Sequence, residues 1–323
     1  MIISRTPFRI SFAGGGSDLQ DFYMKHQGAV LSATIDKYIY LSIHEFFDGQ
    51  QILLKYSKNE LVDSVEQIKH PIIREVFSDH KIQGVDFNSS ADIPSGTGLA
   101  SSSAFTAGLI NLCNAYTGKF MSKEAIAKYA CDIEINRLKE PIGKQDQYAC
   151  AIGGMNFIEF NKDESVSVEK IVLTKEKNIE LNNSLLMFYL GTTRAAGSIL
   201  VEQKKNMNSD SARIEMLKKM VDLAYKLRED LKNNTIDNFG KILHEGWLLK
   251  KELASSISNS GIDGYYEIAM KNGAEGGKLL GAGGGGFLLF FVKPENQKKL
   301  REALSDLKEV PFNFDNTGTT IIY

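Results

Sequence analysis

The chain has 323 residues, of which 43% are hydrophobic and 24% charged, a composition typical of a soluble globular protein with a large core. This length favours two domains. The formal net charge is -2, so the chain lacks the broad basic field that binding to a nucleic-acid backbone requires. We therefore expect no nucleic-acid partner.

The apolar segments indicate neither a targeting sequence nor a membrane span. The first residues, MIISRTPFRISFAGGG, lack a continuous apolar stretch, and the run Phe287 to Val292 is far too short to cross a bilayer. We expect a cytoplasmic protein that does not contact a membrane. The oligomeric state stays open, with a homodimer as one alternative.

The cysteines do not form a metal-site or disulfide pattern. Cys113, Cys131 and Cys150 are odd in number, widely spaced and surrounded by apolar residues. We therefore expect reduced, buried thiols.

The first half of the chain predicts strands followed by helices. Alternating apolar residues predict a strand over Tyr38 to Phe47, and short apolar runs predict two more at Gln51 to Leu54 and Val85 to Phe87. Helices are predicted over Ser101 to Tyr116 and Ser122 to Leu138, each opened by a serine suited to N-capping. This half is mixed α+β.

The second half repeats this mixture. Strands are predicted at Met155 to Phe160, Leu185 to Leu190, Phe287 to Val292 and Thr319 to Tyr323. Helices are predicted at Ala195 to Leu231, Asn238 to Ser256, Asp263 to Asn272 and Glu295 to Leu307. Because a charged stretch, Lys175 to Asn183, precedes the strand at Leu185, we place the boundary near residue 180. The predicted domains are therefore 1–180 and 181–323.

Glycines are concentrated at 14–16, at 96 and 98, and at 281 and 283–286. The middle cluster lies between a predicted strand and a predicted helix, so its N–H groups would converge on an anion at the helix N-terminus. A serine-rich helix cap is the alternative, but the density of small residues favours a phosphate-binding loop. The residues of this loop are Pro94, Ser95, Gly96, Thr97, Gly98, Leu99, Ala100, Ser101 and Ser102.

Two common nucleotide-binding motifs are excluded. No GxxxxGK[ST] occurs, since the nearest match, Gly276-Gly277-Lys278, is followed by Leu279, and this excludes a P-loop. The segment 281–286 satisfies GxGxxG but precedes a predicted strand, whereas the dinucleotide-binding motif follows a strand and opens a helix.

Three segments, in this order, resemble the motifs of the GHMP kinases, named for galactokinase, homoserine, mevalonate and phosphomevalonate kinases. They are Thr6 to Arg9 with Gly14 to Asp18, then Pro94 to Ala104, then Gly281 to Gly286. The resemblance covers the whole chain. It implies a two-domain α+β fold, with an N-terminal domain like ribosomal protein S5 domain 2, a ferredoxin-like C-terminal domain and the active site between them. It also implies a kinase that uses ATP and Mg²⁺.

The resemblance further implies roles for individual residues. Ser102 and Glu134 match the Mg²⁺ ligands, which are hard oxygens of the kind this ion prefers. Asp146 matches the general base, and Arg9 matches the basic residue that faces it and places positive charge near the transferring group. On the residues alone, Glu134 would be a solvated helix position, Asp146 a helix cap and Arg9 an ordinary strand residue.

The predicted acceptor site differs from that of galactokinase. Where galactokinases carry Gly-Glu-His-x-Asp, this chain has glycine at 15 and 16, which opens space for a larger sugar. Three segments, Pro7 to Leu19, Ala33 to Tyr38 and Gly143 to Tyr148, are similar to those of the bacterial heptose 7-phosphate kinases. This implies phosphorylation of the anomeric hydroxyl of D-glycero-D-manno-heptose 7-phosphate to the 1,7-bisphosphate, for nucleotide-activated heptose synthesis. The expected substrate residues are Gly15, Gly16, Ser17, Asp18, Lys144, Arg194 and Gly283.

An acceptor that carries a phosphate needs a cationic anchor. Arg194 is the first candidate, with a plain surface arginine as an equal alternative, and Lys144 and Arg137 follow. Other functions also remain open: another GHMP sugar kinase such as a fucokinase or galactokinase, a GHMP-fold decarboxylase, or a catalytically silent sugar sensor. The decarboxylase would lack a sugar contact like Asp18, and the sensor would lack Asp146 or the metal pair.

Overall fold

The computed structural model describes residues 1–192 and 196–323, apart from the side chains of residues 196, 198 and 207–209. The strands are β1 (Ile2–Ala13), β2 (Gly28–Glu45), β3 (Ile52–Lys55), β4 (Asn59–Val62), β5 (Val85–Ala91), β6 (Met155–Phe160), β7 (Val166–Lys170), β8 (Leu185–Tyr189), β9 (Ala274–Leu279), β10 (Phe287–Val292), β11 (Lys308–Glu309), β12 (Phe314–Asp315) and β13 (Thr320–Ile321). The helices are α1 (Gln20–His26), α2 (Pro71–His80), α3 (Ser101–Tyr116), α4 (Lys123–Cys131), α5 (Gln145–Ile152), α6 (Lys175–Asn183), α7 (Ala196–Ser209), α8 (Ser211–Lys232), α9 (Phe239–Lys251), α10 (Ser260–Lys271) and α11 (Pro294–Ala303).

The larger sheet has the strand order β13-β1-β2-β5-β3-β4, and β6 and β12 also pair with the long strand β2. The pairing of β1 with β2 changes register between Pro7 and Arg9 and again between Ser11 and Ala13. Irregularities of this kind bend a strand and re-aim its side chains. The bend in β1 therefore falls where Arg9 and Ser11 turn toward the cleft described below.

Helix α3 lies across β1 and β2 in the centre of the first half of the molecule. It approaches β1 closely, because Gly108 presents no side chain to Thr6 and Ser4 Oγ donates a hydrogen bond to the Gly108 carbonyl at 3.1 Å. Most of the helix is buried. This packing holds the N-terminus of α3, and the glycine-rich loop before it, in a fixed position over the sheet.

The smaller sheet has the order β11-β8-β10-β9, with antiparallel pairing among the described residues. Helix α9 packs against β9 and β10, and its residues Phe239 and Trp247 are fully buried. Helix α8 packs against α9 and also reaches β1 and β2 of the larger sheet. The two sheets are therefore joined through α8 and α9.

The two sheets are not formed by two consecutive segments of the chain. The strands β12 and β13, close to the C-terminus, return to the larger sheet and pair with β2 and β1. The predicted domain 181–323 therefore contains strands that complete the first sheet. The charged stretch Lys175–Asn183, chosen as the boundary, is helix α6. A boundary near residue 180 stays a prediction.

Most predicted elements are confirmed, with differences at their ends. Helix α3 begins and ends at the predicted residues, but its serine N-cap is wrong, because Ala100 precedes it with φ 66 and no side-chain cap is described there. Ser122 does cap α4, since its Oγ accepts a hydrogen bond from Ala125 N at 3.2 Å. The helix predicted over 195–231 is divided into α7 and α8 at Asp210, whose carboxylate accepts from Ala212 N.

Cys113, Cys131 and Cys150 are free and buried, as predicted. Among the described residues, no helix is both long enough and apolar enough to cross a membrane.

Candidate active site

A cleft of about 960 Å³ is lined by residues from both halves of the chain. The first half contributes Arg9 of β1, the glycine-rich loop before α3 and Asp146 of α5. The second half contributes Lys250 of α9, Lys278 of β9 and the glycines that follow β9. The cleft is thus the place where the three glycine clusters meet.

The predicted phosphate-binding loop lies between β5 and α3. Gly96, Gly98 and Ala100 have φ of 74, 86 and 66, so the backbone makes repeated left-handed turns just before the helix N-terminus. The loop residues that line the cleft are Pro94, Ser95, Gly96, Gly98, Ala100, Ser101 and Ser102. Thr97 and Leu99 are each 1% exposed and face the interior. Such a loop at a helix N-terminus can bind a phosphate.

The third glycine cluster supports the second through direct backbone contact. A Cβ at Gly98 would lie 2.5 Å from the Leu280 carbonyl oxygen, and a Cβ at Gly281 would lie 2.3 Å from the Gly98 Cα. Only glycine allows so close an approach. Gly283, with φ 131, lines the cleft on the same side.

Arg9 and Asp146 form a partly buried ion pair in the cleft. Asp146 Oδ1 accepts hydrogen bonds from Arg9 Nε at 2.8 Å and Nη2 at 2.7 Å, while Arg9 Nη1 donates to the Gly98 carbonyl at 2.8 Å. The Arg9 side chain is 5% exposed and that of Asp146 is 27% exposed. Asp146 is the second residue of α5, after Lys144 at the N-cap, so the helix-cap alternative is wrong. The arginine therefore links the carboxylate to the phosphate loop.

Asp18 joins the first glycine cluster to the start of α5. Its Oδ1 accepts from Gly16 N at 3.0 Å and from Gln145 Nε2 at 2.9 Å, and its Oδ2 accepts from Gln145 N at 3.2 Å. The carboxylate packs so closely on Gly143 that a Cβ there would lie 2.0 Å from Oδ2. Burial, and then the charge of Asp146, raise the pKa of Asp18. Asp18 therefore positions the helix that carries Asp146, and it also lines the cleft.

Gly15 and Gly16 both line the cleft, but for different physical reasons. Gly16 has φ 97, and a Cβ there would lie 2.5 Å from Gln203 Nε2, so the backbone itself requires glycine. A Cβ at Gly15 would meet its nearest neighbour, Ser11 Oγ, at an ordinary 3.5 Å. Only the glycine at position 15 therefore fits the expected role of opening space for the acceptor.

The structure does not bring Ser17 and Lys144 to the cleft. Ser17 is fully buried, and its Oγ donates to the Gly14 carbonyl at 2.7 Å. Lys144 Nζ donates to the Glu164 carbonyl at 3.2 Å and lies 4.7 Å from the centre of the Tyr23 ring. Neither residue is part of the cleft lining in the described part of the chain. Their predicted substrate contacts therefore gain no support.

The structure gives no support to Arg137 as an anchor for a phosphate. Arg137 is held by Asp79 at 2.6 Å and by Asp132 at 2.9 Å, away from the cleft. Arg194 lies outside the described residues.

Glu134 lies directly behind the phosphate loop, in a π-helical turn (Asp132–Arg137) that continues α4. Its Oε1 accepts from Ser102 Oγ at 2.7 Å, and its Oε2 accepts from Ser103 Oγ at 2.9 Å and Gln147 Nε2 at 2.7 Å. The side chain is fully buried, so the solvated-helix alternative is wrong. Burial raises the pKa of Glu134. Short π-helical turns of this kind are frequent at functional sites.

The pair Ser102 and Glu134 fits a hard divalent cation. The Ser102 hydroxyl lines the cleft, and Glu134 behind it is a buried carboxylate without a cationic partner among the described residues. Three hydrogen bonds offset part of the cost of burying this carboxylate, and a bound cation would offset more of it.

Two buried lysines in the cleft were missed by the sequence reasoning. Lys250 is 8% and Lys278 is 5% exposed, and both line the cleft. Lys250 Nζ contacts the carbonyl oxygens of Gly281 and Leu279, and Lys278 Nζ donates to the Phe12 carbonyl at 3.0 Å. A signal existed for Lys250, which continues the apolar helical spacing that runs through Leu243 and Trp247.

Burial dominates the electrostatics of these lysines. It lowers the pKa of Lys250 to about 8, and the charge of Arg9 adds to the effect. Burial also lowers the pKa of Lys278 well below its usual range, with further contributions from Lys250 and Arg9. The three cationic side chains therefore lie close enough to repel one another.

Comparison with known proteins agrees with this arrangement. Family models for the GHMP kinase N-terminal domain and the GHMP kinase C-terminal domain match residues 57–154 and 227–309. The D-glycero-alpha-D-manno-heptose 7-phosphate kinase of Campylobacter jejuni is 32% identical over 315 residues, covering 94% of this chain and 93% of that protein. The bifunctional fucokinase/GDP-fucose pyrophosphorylase of Arabidopsis thaliana is 28% identical, covering 94% of this chain and 31% of the plant protein.

A solved structure extends the agreement to the fold. The crystal structure of a D-glycero-D-manno-heptose 1-phosphate kinase from Bacteroides thetaiotaomicron superimposes with a TM-score of 0.82 and 24% identity, over 100% of this chain and 99% of the other.

A glycine-rich loop at a helix N-terminus, in contact with an arginine–aspartate pair inside a cleft lined by both halves of the chain, is the arrangement expected of a small-molecule phosphotransferase. The chain belongs to the GHMP kinase family. The predicted α+β GHMP fold is confirmed. The enzyme is a phosphotransferase with an alcohol group as acceptor, and ATP is the phosphate donor of this family.

Proposed function

We propose that this enzyme transfers the γ-phosphoryl group of ATP to the anomeric hydroxyl of D-glycero-D-manno-heptose 7-phosphate, giving the 1,7-bisphosphate. The similarity to the Campylobacter jejuni kinase over almost the whole of both chains supports this acceptor. The observation that carries the kinase chemistry is the Arg9–Asp146 pair, which contacts the phosphate loop through Gly98.

Asp146 is the proposed general base. Arg9 binds it through Oδ1, which leaves Oδ2 to orient the sugar hydroxyl and to accept its proton as the phosphoryl group arrives. Its partial exposure lets an acceptor reach the carboxylate. Arg9 holds the carboxylate in position and places positive charge beside the transferring group.

The loop from Pro94 to Ser102 is the proposed cradle for the ATP phosphates. Its backbone N–H groups and the N-terminus of α3 supply partial positive charge without a side-chain cation. Beyond the loop, the cleft is lined by the aromatic residues Tyr56, His70 and Phe105, which provide an apolar surface for an adenine base. We therefore place the nucleotide base at this end.

Ser102 and Glu134 are the proposed protein ligands of Mg²⁺. When bound, the ion would neutralise charge on the ATP phosphate oxygens. In the protein alone, the Ser102 hydroxyl donates to Glu134, so the two oxygen ligands are already in contact.

The acceptor is proposed to occupy the other end of the cleft. Gly15 leaves room for the sugar, and Asp18 and Gln145 present a carboxylate and an amide at its edge. Gly283 lines the cleft from the second half of the chain. A seven-carbon sugar phosphate needs this room, whereas a hexose would leave part of it filled with water.

A fucokinase is the second candidate, favoured by the similarity to the plant fucokinase. Initial rates of ATP consumption with heptose 7-phosphate, L-fucose, galactose and mevalonate separate the candidates. We expect the highest kcat/KM with heptose 7-phosphate. A higher value with L-fucose would replace the proposed acceptor, and activity with mevalonate alone would remove sugars altogether.

A further inference from the structure

We propose that Lys250 and Lys278 form a phosphate-binding site in the floor of the cleft, beside Arg9, which takes a phosphate dianion when the substrates bind. This inference rests on the proposed function in one respect, namely that the cleft receives phosphate groups.

Neither lysine has a carboxylate partner in the described part of the chain. Each contacts carbonyl oxygens instead. An ammonium group has three N–H donors and a full charge, and carbonyl dipoles alone offset little of its burial. Buried charges in proteins are normally paired, so a missing partner points to a ligand.

Both lysines lie in the same part of the cleft as Arg9. Lys250 comes from α9 and Lys278 from β9, and both line the cleft. Lys250 Nζ contacts the carbonyl of Gly281, which packs against Gly98 of the phosphate loop, and Lys278 Nζ contacts the Phe12 carbonyl of β1. Arg9 contacts the same Gly98. An anion that touches the lysines therefore lies next to the point where the phosphoryl group is transferred.

The charges in this part of the cleft favour a dianion as the ligand of the two lysines. Arg9 is already paired with Asp146 within the protein, so it does not by itself call for a further anion. The two lysines are not compensated within the described chain, and together they match the charge of a phosphate dianion. Burial holds their pKa values low in the free protein, and an incoming anion would restore their protonation.

A purely structural role predicts different behaviour. If the lysines only tied α9 and β9 to nearby carbonyls, their replacement would weaken the fold. If they are held for a ligand, an apolar side chain of similar length should leave the free protein equally or more stable, because the penalty of a buried charge disappears.

Two phosphate groups have the required chemistry: the γ-phosphoryl group of ATP and the phosphate ester of the acceptor. The test compares Lys250→Met and Lys278→Met with Lys241→Met, a control at an exposed position of α9. For each protein, the affinity for a non-hydrolysable ATP analogue is measured against that for ADP, in Mg²⁺. The affinity for heptose 7-phosphate is likewise measured against that for the unphosphorylated heptose.

Within each pair of ligands, the ratio of the two affinities measures what the extra phosphate contributes to binding. In one of the two pairs, we expect both methionine variants to lower this ratio by about tenfold or more, since each variant removes a charge-assisted contact. The pair that changes identifies the source. The control variant should match the wild type, and the melting temperatures of the methionine variants should equal or exceed that of the wild type.

Two results would overturn the proposal. One is an affinity ratio that stays unchanged in both pairs of ligands, and the other is a melting temperature that falls in both methionine variants. Failure of the proposed acceptor is a separate result. The wild type would then not turn over heptose 7-phosphate, while the difference between the ATP analogue and ADP would still report on the lysines.

Discussion

Arg9 and the Lys250–Lys278 pair lie in one cleft, but their charges are compensated differently. Arg9 is held by Asp146 at 2.7 and 2.8 Å, whereas the lysines contact carbonyl oxygens in the described structure. A cation held by a carboxylate is preorganised before the substrate arrives. Buried ammonium groups without an anion remain unfavourable until one binds. One part of the cleft is therefore complete in the free protein, whereas the other is completed by its ligand.

The largest expected effect is at Asp146, which forms the preorganised ion pair with Arg9. Asp146→Asn should lower kcat by about a hundredfold or more with little change in the KM for ATP, because it removes proton acceptance and leaves the phosphate loop intact. Steady-state kinetics measure both constants. Asp222→Asn, at an exposed position of α8, is the control. Near-normal turnover by Asp146→Asn would end the general-base assignment.

The first glycine cluster allows a test at the proposed acceptor end of the cleft. Gly15→Glu should abolish most turnover of heptose 7-phosphate at an unchanged melting temperature, because position 15 has room and the new carboxylate would occupy the acceptor space. The affinity for ATP should survive, since the phosphate loop lies elsewhere in the cleft.

Gly16 provides the contrasting case. Gly16→His should destabilise the fold itself by about 1–3 kcal/mol, because φ 97 is strained for any other residue. Thermal melts of the two variants distinguish the positions. Equal losses of melting temperature would mean that both glycines serve the backbone and that neither was needed to make room for the acceptor.

The metal ligands should give an intermediate effect. Ser102→Ala and Glu134→Gln should each raise the Mg²⁺ concentration needed for half-maximal activity, because each removes or weakens one oxygen ligand. Titration of initial rates with Mg²⁺ measures this shift. Glu124→Gln, exposed on α4, should behave like the wild type. Superimposable Mg²⁺ curves for all four proteins would mean that the ligands are other residues.

The smallest expected effect concerns Lys250, which has no carboxylate partner among the described residues. Burial lowers the pKa of Lys250 from 10.5 to about 8, so between these pH values the unfolded chain binds a proton that the folded protein does not. Stability should therefore rise with pH across this window, and Lys250→Met should lack that rise. The measurement is the difference in melting temperature between the two proteins at pH 7.5 and pH 10, in the absence of ligands. A difference that stays constant with pH would contradict a buried Lys250 with a lowered pKa.

The sequence alone predicted the structure of the residues that belong to local motifs. The turns at Gly96 and Gly98 and the helix that follows them depend on local backbone chemistry, so spacing alone predicted them. The pairing of Arg9 with Asp146 was an implication of the family resemblance, and the structure places the two side chains in contact.

Tertiary packing explains what the sequence did not predict. The helical spacing indicated that Lys250 is buried, but not that α9 packs against β1. Lys278 is buried because β9 lies against β1, and no local pattern specifies that contact. Strand β9 was missed because Gly276 and Gly277 interrupt its apolar pattern. Ser17 was misplaced for a similar reason, since a motif gives the position of a residue along the chain but not the direction in which its side chain points.

The central claim is that this GHMP kinase phosphorylates the anomeric hydroxyl of a heptose 7-phosphate. Phosphorus NMR of the reaction with ATP, Mg²⁺ and D-glycero-D-manno-heptose 7-phosphate tests it most directly. We expect a second sugar phosphate signal that is coupled to the anomeric proton, formed together with ADP. The claim would be contradicted by a new phosphate on another carbon, or by ATP left unconsumed while a different sugar is phosphorylated by the same preparation.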